Sequence, residues 1–245
     1  GGLSSPTLVD KDLDGIVDIA YAGDRGGNMY RFDLSDSDSS KWSVSTIFEG
    51  GKPITSAPAV SRLADKRVVI FGTGSDLSEE DVLNTDEQYI YGIFDDDEGT
   101  VNVKVTNGTG GRLLEQTLTK ENNTLFLSNN KASGGSADKG WVVKLMDGER
   151  VTVKPTVVLR TAFVTIRKYK DDGCGADTAI LGINTADGGA LTPRSARPIV
   201  PDNQVAQYSG HQKMNGKSIP IGCMWKNGKT VCPNGYVYDK PVNVR

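Results

Sequence analysis

Asp10-Lys-Asp12-Leu-Asp14-Gly15-Ile16-Val-Asp18 places four carboxylates within nine residues. The first three alternate at loop positions 1, 3 and 5, which projects their side chains inward around one centre. Gly15 supplies the sharp turn at position 6. The Ile16 carbonyl can then point at an ion, and Asp18 closes the shell from position 9. Hard oxygen donors in a flexible loop suit Ca²⁺ better than Mg²⁺ or a transition metal. The expected ligands are therefore Asp10, Asp12, Asp14, Ile16 through its carbonyl, and Asp18, with Ca²⁺ as the cofactor.

An EF-hand is the first rival. It needs an acidic residue at position 12 and a helix on either side. Position 12 is Tyr21, and the flanking sequence is strand-like. The loop is the nine-residue type that sits in β-hairpins of propeller blades, as in integrin α-chains. An uncoordinated Asp-rich turn is the plain alternative, but four carboxylates this close repel one another without a cation.

Other chemistry is poorly represented. His211 is the only histidine, which removes multi-His metal sites and most His-dependent catalysis. It lies in a polar, turn-rich segment and reads as a surface-loop residue. Gly72-Thr-Gly74 lacks the Lys and the helix of a phosphate loop, and no Gly-x-Ser-x-Gly elbow occurs. Asp24 and Asp33 could serve as general bases, yet each falls where a blade turn would use it structurally. Calcium on a propeller also suggests a quinoprotein oxidoreductase, whose pattern includes adjacent cysteines; this chain has none. The reading is of a non-enzyme without catalytic residues.

Charge is distributed unevenly. Residues 1–100 carry 20 Asp/Glu against 8 Lys/Arg, and the remainder reverses that balance to give a net −3. This argues against general nucleic-acid binding. No apolar run approaches the ~20 residues needed to span a bilayer as a helix, so this segment is not transmembrane. Ten acidic residues fall between Asp76 and Glu98 with no Lys or Arg among them. They form either a solvated acidic loop or a cation-attracting rim; the latter would admit a Ca-dependent glycan-binding module with a second ion.

The chain opens Gly-Gly-Leu-Ser-Ser-Pro without an initiating Met or signal-peptide pattern, and reads as a segment of something longer. Cys223 and Cys232 flank a run containing Asn227-Gly228, a strong hairpin-turn signal. A local disulfide between them is one expectation for an oxidising compartment. The alternative pairs Cys174 with one of them or with a thiol elsewhere. Three Cys and one distant His lack zinc-ligand spacing.

The elements that must position the loop are strands. Short apolar runs at 16–22, 28–33, 42–48, 67–72, 89–94, 141–145, 156–159, 162–167 and 179–183 are separated by Gly, Asp and Ser turns. Only Ser78 to Asn84 reads as a helix, with Ser78 as N-cap. Pro6-Thr-Leu8, Pro58-Ala-Val60 and Pro155-Thr-Val157 each precede two strand-like runs. That repeat, at blade length, is the mark of a β-propeller. The interval from Pro58 to Pro155 is about twice that from Pro6 to Pro58, so 101–145 holds either an insertion or a degenerate copy. At roughly 40–50 residues per blade the chain holds four or five blades at most. The expected fold is all-β, a modified propeller forming a partial ring with long loops. Residues 1–190 are the blades, and 191–245 a turn-rich extension carrying the Cys223/Cys232 hairpin.

The stretch from Asp10 to Leu34 closely resembles the calcium loop and first strand pair of the PilC/PilY family of type IV pilus proteins. Lys52 to Val60, Val69 to Leu77 and Tyr89 to Asp95 are also similar to that family. The Neisseria-type PilC branch fits best, and the similarity extends through Ile180 to Gly189 to the end of the chain. The resemblance implies the C-terminal propeller of a large secreted protein found at the pilus tip and the outer membrane. It implies minor pilins and a host-cell surface receptor as partners, support of pilus extension against retraction, and adhesion to host cells. Carried over residue by residue, the metal positions fall on Asp10, Asp12, Asp14, Ile16 and Asp18. Some relatives carry an Arg-Gly-Asp motif; this sequence does not.

Overall fold

In the computed structural model the described residues are 1–98, 102–121, 124–191, 196–198, 211–214, 217–220, 224–227, 229–231 and 242–243. They are nearly all strand and turn. The first blade comprises β1 (Thr7–Val9), β2 (Ile19–Gly23), β3 (Asn28–Asp33) and β4 (Ser43–Glu49), a 3₁₀ turn (Ser39–Lys41) preceding β4. The second begins with β5 (Ala59–Arg62) and β6 (Arg67–Gly72), passes the short helix α1 (Glu79–Leu83), and continues with β7 (Tyr89–Asp95).

Between β7 and the fourth strand of that blade lie β8 (Val103–Lys104), β9 (Leu113–Glu121) and β10 (Thr124–Leu127), before β11 (Gly140–Lys144). β11 pairs antiparallel with β7 and parallel with β9, while β8 pairs parallel with β4 of the first blade. The interval after Pro58 is thus an insertion that widens two existing sheets; it is not a degenerate blade.

The third blade follows: β12 (Glu149–Arg150), β13 (Thr156–Val158), β14 (Thr161–Tyr169) and β15 (Ala176–Asn184), with β12 and β13 both pairing with β14. β16 (Ala196–Pro198) joins the second sheet through β10. β17 (His211–Met214), β18 (Lys217–Pro220) and β21 (Val242–Asn243) form a small sheet, and β19 (Met224–Lys226) pairs with β20 (Lys229–Val231). The expected Asn227 turn is therefore present, with Asn227 at φ +50°. Cys223 and Cys232 lie outside the described residues, and Cys174 is a free, exposed thiol. His211 opens strand β17 instead of lying in a loop, because it pairs with Pro220 across the β17–β18 hairpin.

The three Pro-led segments are β1, β5 and β13, each the leading strand of its blade. β5 packs beside both β1 and β13, as leading strands do around a propeller axis. Three blades within the described residues make a partial ring. The second is sandwiched, and its alternation shows it: Val68 and Ile70 face the core shared with the third blade, while Val69 and Phe71 face the core shared with the first. A strand buried on both faces reads as a continuous apolar run, here Arg67-Val-Val-Ile-Phe-Gly72. Phe48 from the first blade and Phe71 and Tyr91 from the second stack with ring centroids 4.5–5.5 Å apart, within the range of favourable aromatic pairs.

Candidate metal centre

β1 and β2 pair through Val9 and Ile19, so residues 10–18 form the loop of that hairpin. Ile16 to Asp18 leave the strand predicted from Ile16 because the loop needs them. The Asp18 N–H donates to the Val9 carbonyl at 2.9 Å, and the Asp18 carbonyl accepts from Leu34 N–H at 2.8 Å. Those bonds anchor the C-terminal end of the loop on the first blade. The Asp18 side chain is buried, and its Oδ2 accepts the Lys11 N–H at 2.7 Å.

The rest of the loop is organised by its own carboxylates. Asp10 accepts from Asp14 N–H at 3.2 Å and Gly15 N–H at 2.7 Å, and Asp14 accepts from Ile16 N–H at 2.8 Å. Leu13 at φ +60° and Gly15 at φ +89° take the two left-handed steps that fold the turn. As a result one carboxylate oxygen from each of Asp10, Asp12, Asp14 and Asp18 lies within 4.8 Å of the others. Opposite ligands of one Ca²⁺ are about 5 Å apart at the usual Ca–O distances, so the donor set has the span of a single coordination sphere. Partial desolvation, with repulsion from Asp14 and Asp18, holds the Asp12 carboxyl above its ordinary value. Ile16 sits between Asp14 and Asp18 in the sequence, with its side chain exposed.

Behind the loop lies a charged seam between the first two blades, which sequence reasoning missed. Lys11 reaches Asp97 Oδ2 at 3.1 Å. Asp97 Oδ1 accepts from Arg31 Nη2 at 2.8 Å and from Arg67 Nη2. Asp95 accepts from Arg31 Nε at 2.9 Å and from the buried Tyr21 hydroxyl, and that hydroxyl oxygen accepts from Arg67 Nε at 3.2 Å. Burial would push Asp97 up, but hydrogen bonds from Arg67, Lys11 and Arg31 outweigh it and hold the carboxyl at about 2. Burial together with the Asp95 charge pushes the Tyr21 hydroxyl well up, so it stays protonated. The available signal was the register: Arg67 and Asp95 are opposite each other on β6 and β7, at the ends of two runs visible in the sequence.

The acidic stretch from Asp76 to Glu98 resolves into separate tasks. Asp76 accepts from the Tyr169 hydroxyl at 2.9 Å, Asp81 accepts from Leu77 N–H at 3.2 Å, and Glu87 pairs with Lys144 at 3.0 Å. Asp95 and Asp97 belong to the seam. Among the described residues, the loop at Asp10–Asp18 is the one group of three or more ligand-type side chains within reach of a common ion. Asp24 takes Asn28 N–H at 2.9 Å and the Tyr30 hydroxyl at 2.8 Å, holding the β2–β3 turn, and Asp33 takes Ser35 N–H at 3.0 Å. Each uses its carboxylate to hold a turn, Asp24 just after β2 and Asp33 as the last residue of β3.

A family model described as the PilY1 beta-propeller domain matches residues 1–131. The chain belongs to the PilY1 family. The PilY1 type IV pilus biogenesis factor of Pseudomonas aeruginosa PAO1 is 28% identical over 240 residues, covering 77% of this chain and 21% of that protein. The corresponding factor of P. aeruginosa UCBPP-PA14 is 32% identical over 167 residues, covering 53% and 14%. A PilY1 homologue of Xylella fastidiosa is 35% identical over 101 residues, covering 38% and 8%. The chain thus spans about a fifth of the PAO1 PilY1. The crystal structure of the P. aeruginosa PilY1 C-terminal domain superposes with a TM-score of 0.68 at 22% identity, covering 97% of this chain and 60% of that one. The fold is therefore the all-β PilY1 propeller, and the Asp10–Asp18 loop lies inside the segment matched by the PilY1 model.

Proposed function

We propose that this chain is a Ca²⁺-binding propeller segment of a type IV pilus biogenesis factor, with Asp10, Asp12, Asp14, Asp18 and the Ile16 carbonyl as the ligands. The observation that carries the reading is the mutual approach of four carboxylates on one hairpin loop in a chain of the PilY1 family. The donor chemistry fits: all oxygen, multiply charged, on a loop set by its own N–H groups. Bound Ca²⁺ neutralises the clustered charge and locks the loop to the blade. Extracellular calcium modules commonly work at about 10⁻⁴–10⁻³ M, which suits a protein at the bacterial surface.

In that role the domain supports pilus assembly, favouring extension over retraction, and contributes to adhesion. Its partners are minor pilins at the pilus tip and a host-cell receptor, and its place is the secreted, pilus-tip and outer-membrane side of the cell. The relatives' names, which are those of biogenesis factors, support a non-catalytic role. Calorimetric titration of the chain with Ca²⁺ and with Mg²⁺, beside Asp12→Ala, tests the metal; piliation of cells carrying the same substitution in the full-length protein tests the role. Saturable Ca²⁺ binding lost in the variant, with altered piliation, supports the proposal. Unchanged affinity and unchanged piliation would sink it.

A further inference from the structure

We infer that Asp97 is a positioning residue for the metal loop: it holds the Lys11 ammonium away from the four carboxylates and so leaves them free for a cation. The inference rests on the calcium reading above and adds a residue on another blade to the function of that loop.

Lys11 is the only basic side chain between Asp10 and Asp18, and it sits between two expected ligands. Its backbone N–H is committed to Asp18 Oδ2 at 2.7 Å, which fixes its Cα at the rim of the cluster. A flexible ammonium stem at that point has two destinations. One is the carboxylate cluster, where Lys11 would act as an internal counter-ion competing with metal. The other is Asp97, and the structure shows the second, with Nζ 3.1 Å from Oδ2.

Asp97 is built to keep that oxygen available. Its other oxygen, Oδ1, takes both guanidiniums, Arg31 and Arg67. Its backbone is left-handed at φ +67°, a conformation that a non-glycine residue holds only where the surroundings enforce it, and its N–H is tied to Asp95 Oδ1 at 3.1 Å. The carboxylate is thus fixed by the seam between the first two blades, and Lys11 docks onto a prepared acceptor. The Lys11 side chain is half exposed while Asp97 is mostly covered, so the lysine is the mobile partner.

The test is calcium affinity, by calorimetry on the whole chain, of wild type, Lys11→Gln, Asp97→Asn and the double variant, with thermal unfolding as the control for folding. Asp97→Asn should weaken Ca²⁺ binding about fivefold, the scale of one partly exposed ion pair, because the released ammonium turns to the carboxylates. In the Lys11→Gln background the same change should have less than a twofold effect. Equal effects of Asp97→Asn in both backgrounds would overturn the inference. Lys11→Gln alone guards against a misfolded Asp97 variant: it should change affinity less than twofold, whereas strengthening of fivefold or more would show that Lys11 already occupies the cluster. Wild type that fails to bind Ca²⁺ would sink the calcium reading and the inference together; wild type that binds, with additive variants, would sink only the role of Asp97.

Discussion

Trp141 on β11 donates its indole N–H to the backbone carbonyl of Thr185 at 2.8 Å, entirely out of contact with solvent. One hydrogen bond therefore crosses from the second blade to the end of the third. The ring fits because two glycines make room: a Cβ at Gly92 would lie 2.1 Å from Trp141 Cε2, and one at Gly188 would lie 2.5 Å from Trp141 Cε3. Gly92→Ala should cost about 1–3 kcal/mol through overpacking. Trp141→Phe should cost a similar amount, because it strands the buried Thr185 carbonyl. Thermal or urea unfolding measures both, and a Gly92→Ala protein as stable as wild type would show that the indole can move aside.

Two aspartates of the proposed metal loop should behave differently without metal. Asp18 is buried and holds the loop through Lys11 N–H, so Asp18→Ala should lower stability even in chelator, by about 1–3 kcal/mol. Asp12 is exposed and repelled by Asp14 and Asp18. Asp12→Ala should leave the metal-free protein as stable as wild type or slightly more so, while reducing Ca²⁺ affinity. Unfolding curves with and without chelator separate the two effects.

The proposed calcium site predicts that Ca²⁺ stabilises the wild-type chain by mass action. At a free concentration 100-fold above its dissociation constant the gain is about 2.7 kcal/mol. A chelator should reverse it fully, and Mg²⁺ at the same concentration should do less, since it demands tighter octahedral geometry and sheds water reluctantly. Calorimetric unfolding at several calcium concentrations checks the logarithmic dependence.

Acid should open the seam between the first two blades. The Asp97 carboxyl is held at about 2, below its ordinary value of 3.8. A depressed folded-state value means that the unfolded chain takes up the proton first as the pH falls. Its stabilisation, on the order of 2 kcal/mol, is complete above pH ~4 and is lost between there and pH ~2. Asp97→Asn should flatten the stability profile in that window. Glu149 has the opposite sign: burial raises its carboxyl despite the bond from Met146 N–H at 2.7 Å. Glu149→Gln should therefore be at least as stable as wild type at neutral pH, with the advantage vanishing on acidification. A wild-type advantage at pH 7 would refute this.

Arg150 should govern the order of the acidic segment around α1. It donates to the carbonyl oxygens of Ser75 at 3.0 Å, Asn84 at 2.6 Å and Asp81. Two of those carbonyls lie at the C-terminal end of a five-residue helix too short to persist alone. Arg150→Ala should raise amide exchange across 75–86 well above that of β6 and β7, with Ser78→Ala giving a smaller effect through loss of the N-cap bond to Asp81 N–H. Exchange rates unchanged in Arg150→Ala would assign the order to the strands instead.

The loop, the leading strands and most inner strands were legible because each is a local pattern: alternating carboxylates with Gly15, a Pro before each blade, and apolar runs such as 67–72. The Ser78 cap was legible for the same reason. β9 was not, since Leu113-Leu-Glu-Gln-Thr-Leu-Thr-Lys-Glu121 is polar towards its end and finds its parallel partner β11 well downstream. The seam was hidden because Arg31, Arg67, Asp95 and Asp97 come from separate strands and a turn. What looked like one acidic stretch from Asp76 to Glu98 is divided by β7, which carries Asp95 into the interior while Asp76 and Asp81 stay with the helix.

The insertion between β7 and β11 also sets an order of assembly. The first blade grows by successive short hairpins, β1 to β4, and needs nothing from later in the chain to do so. The second cannot receive its fourth strand until the whole stretch from Asp96 to Lys139 has passed, a closure costing about 2 kcal/mol more in chain entropy than a tight turn. During synthesis or refolding the β7 edge must therefore wait, unpaired and apolar, through Tyr89-Ile-Tyr-Gly-Ile-Phe94. Until β11 arrives, that apolar edge is open to pairing with a neighbouring chain, a vulnerability that comes from connectivity.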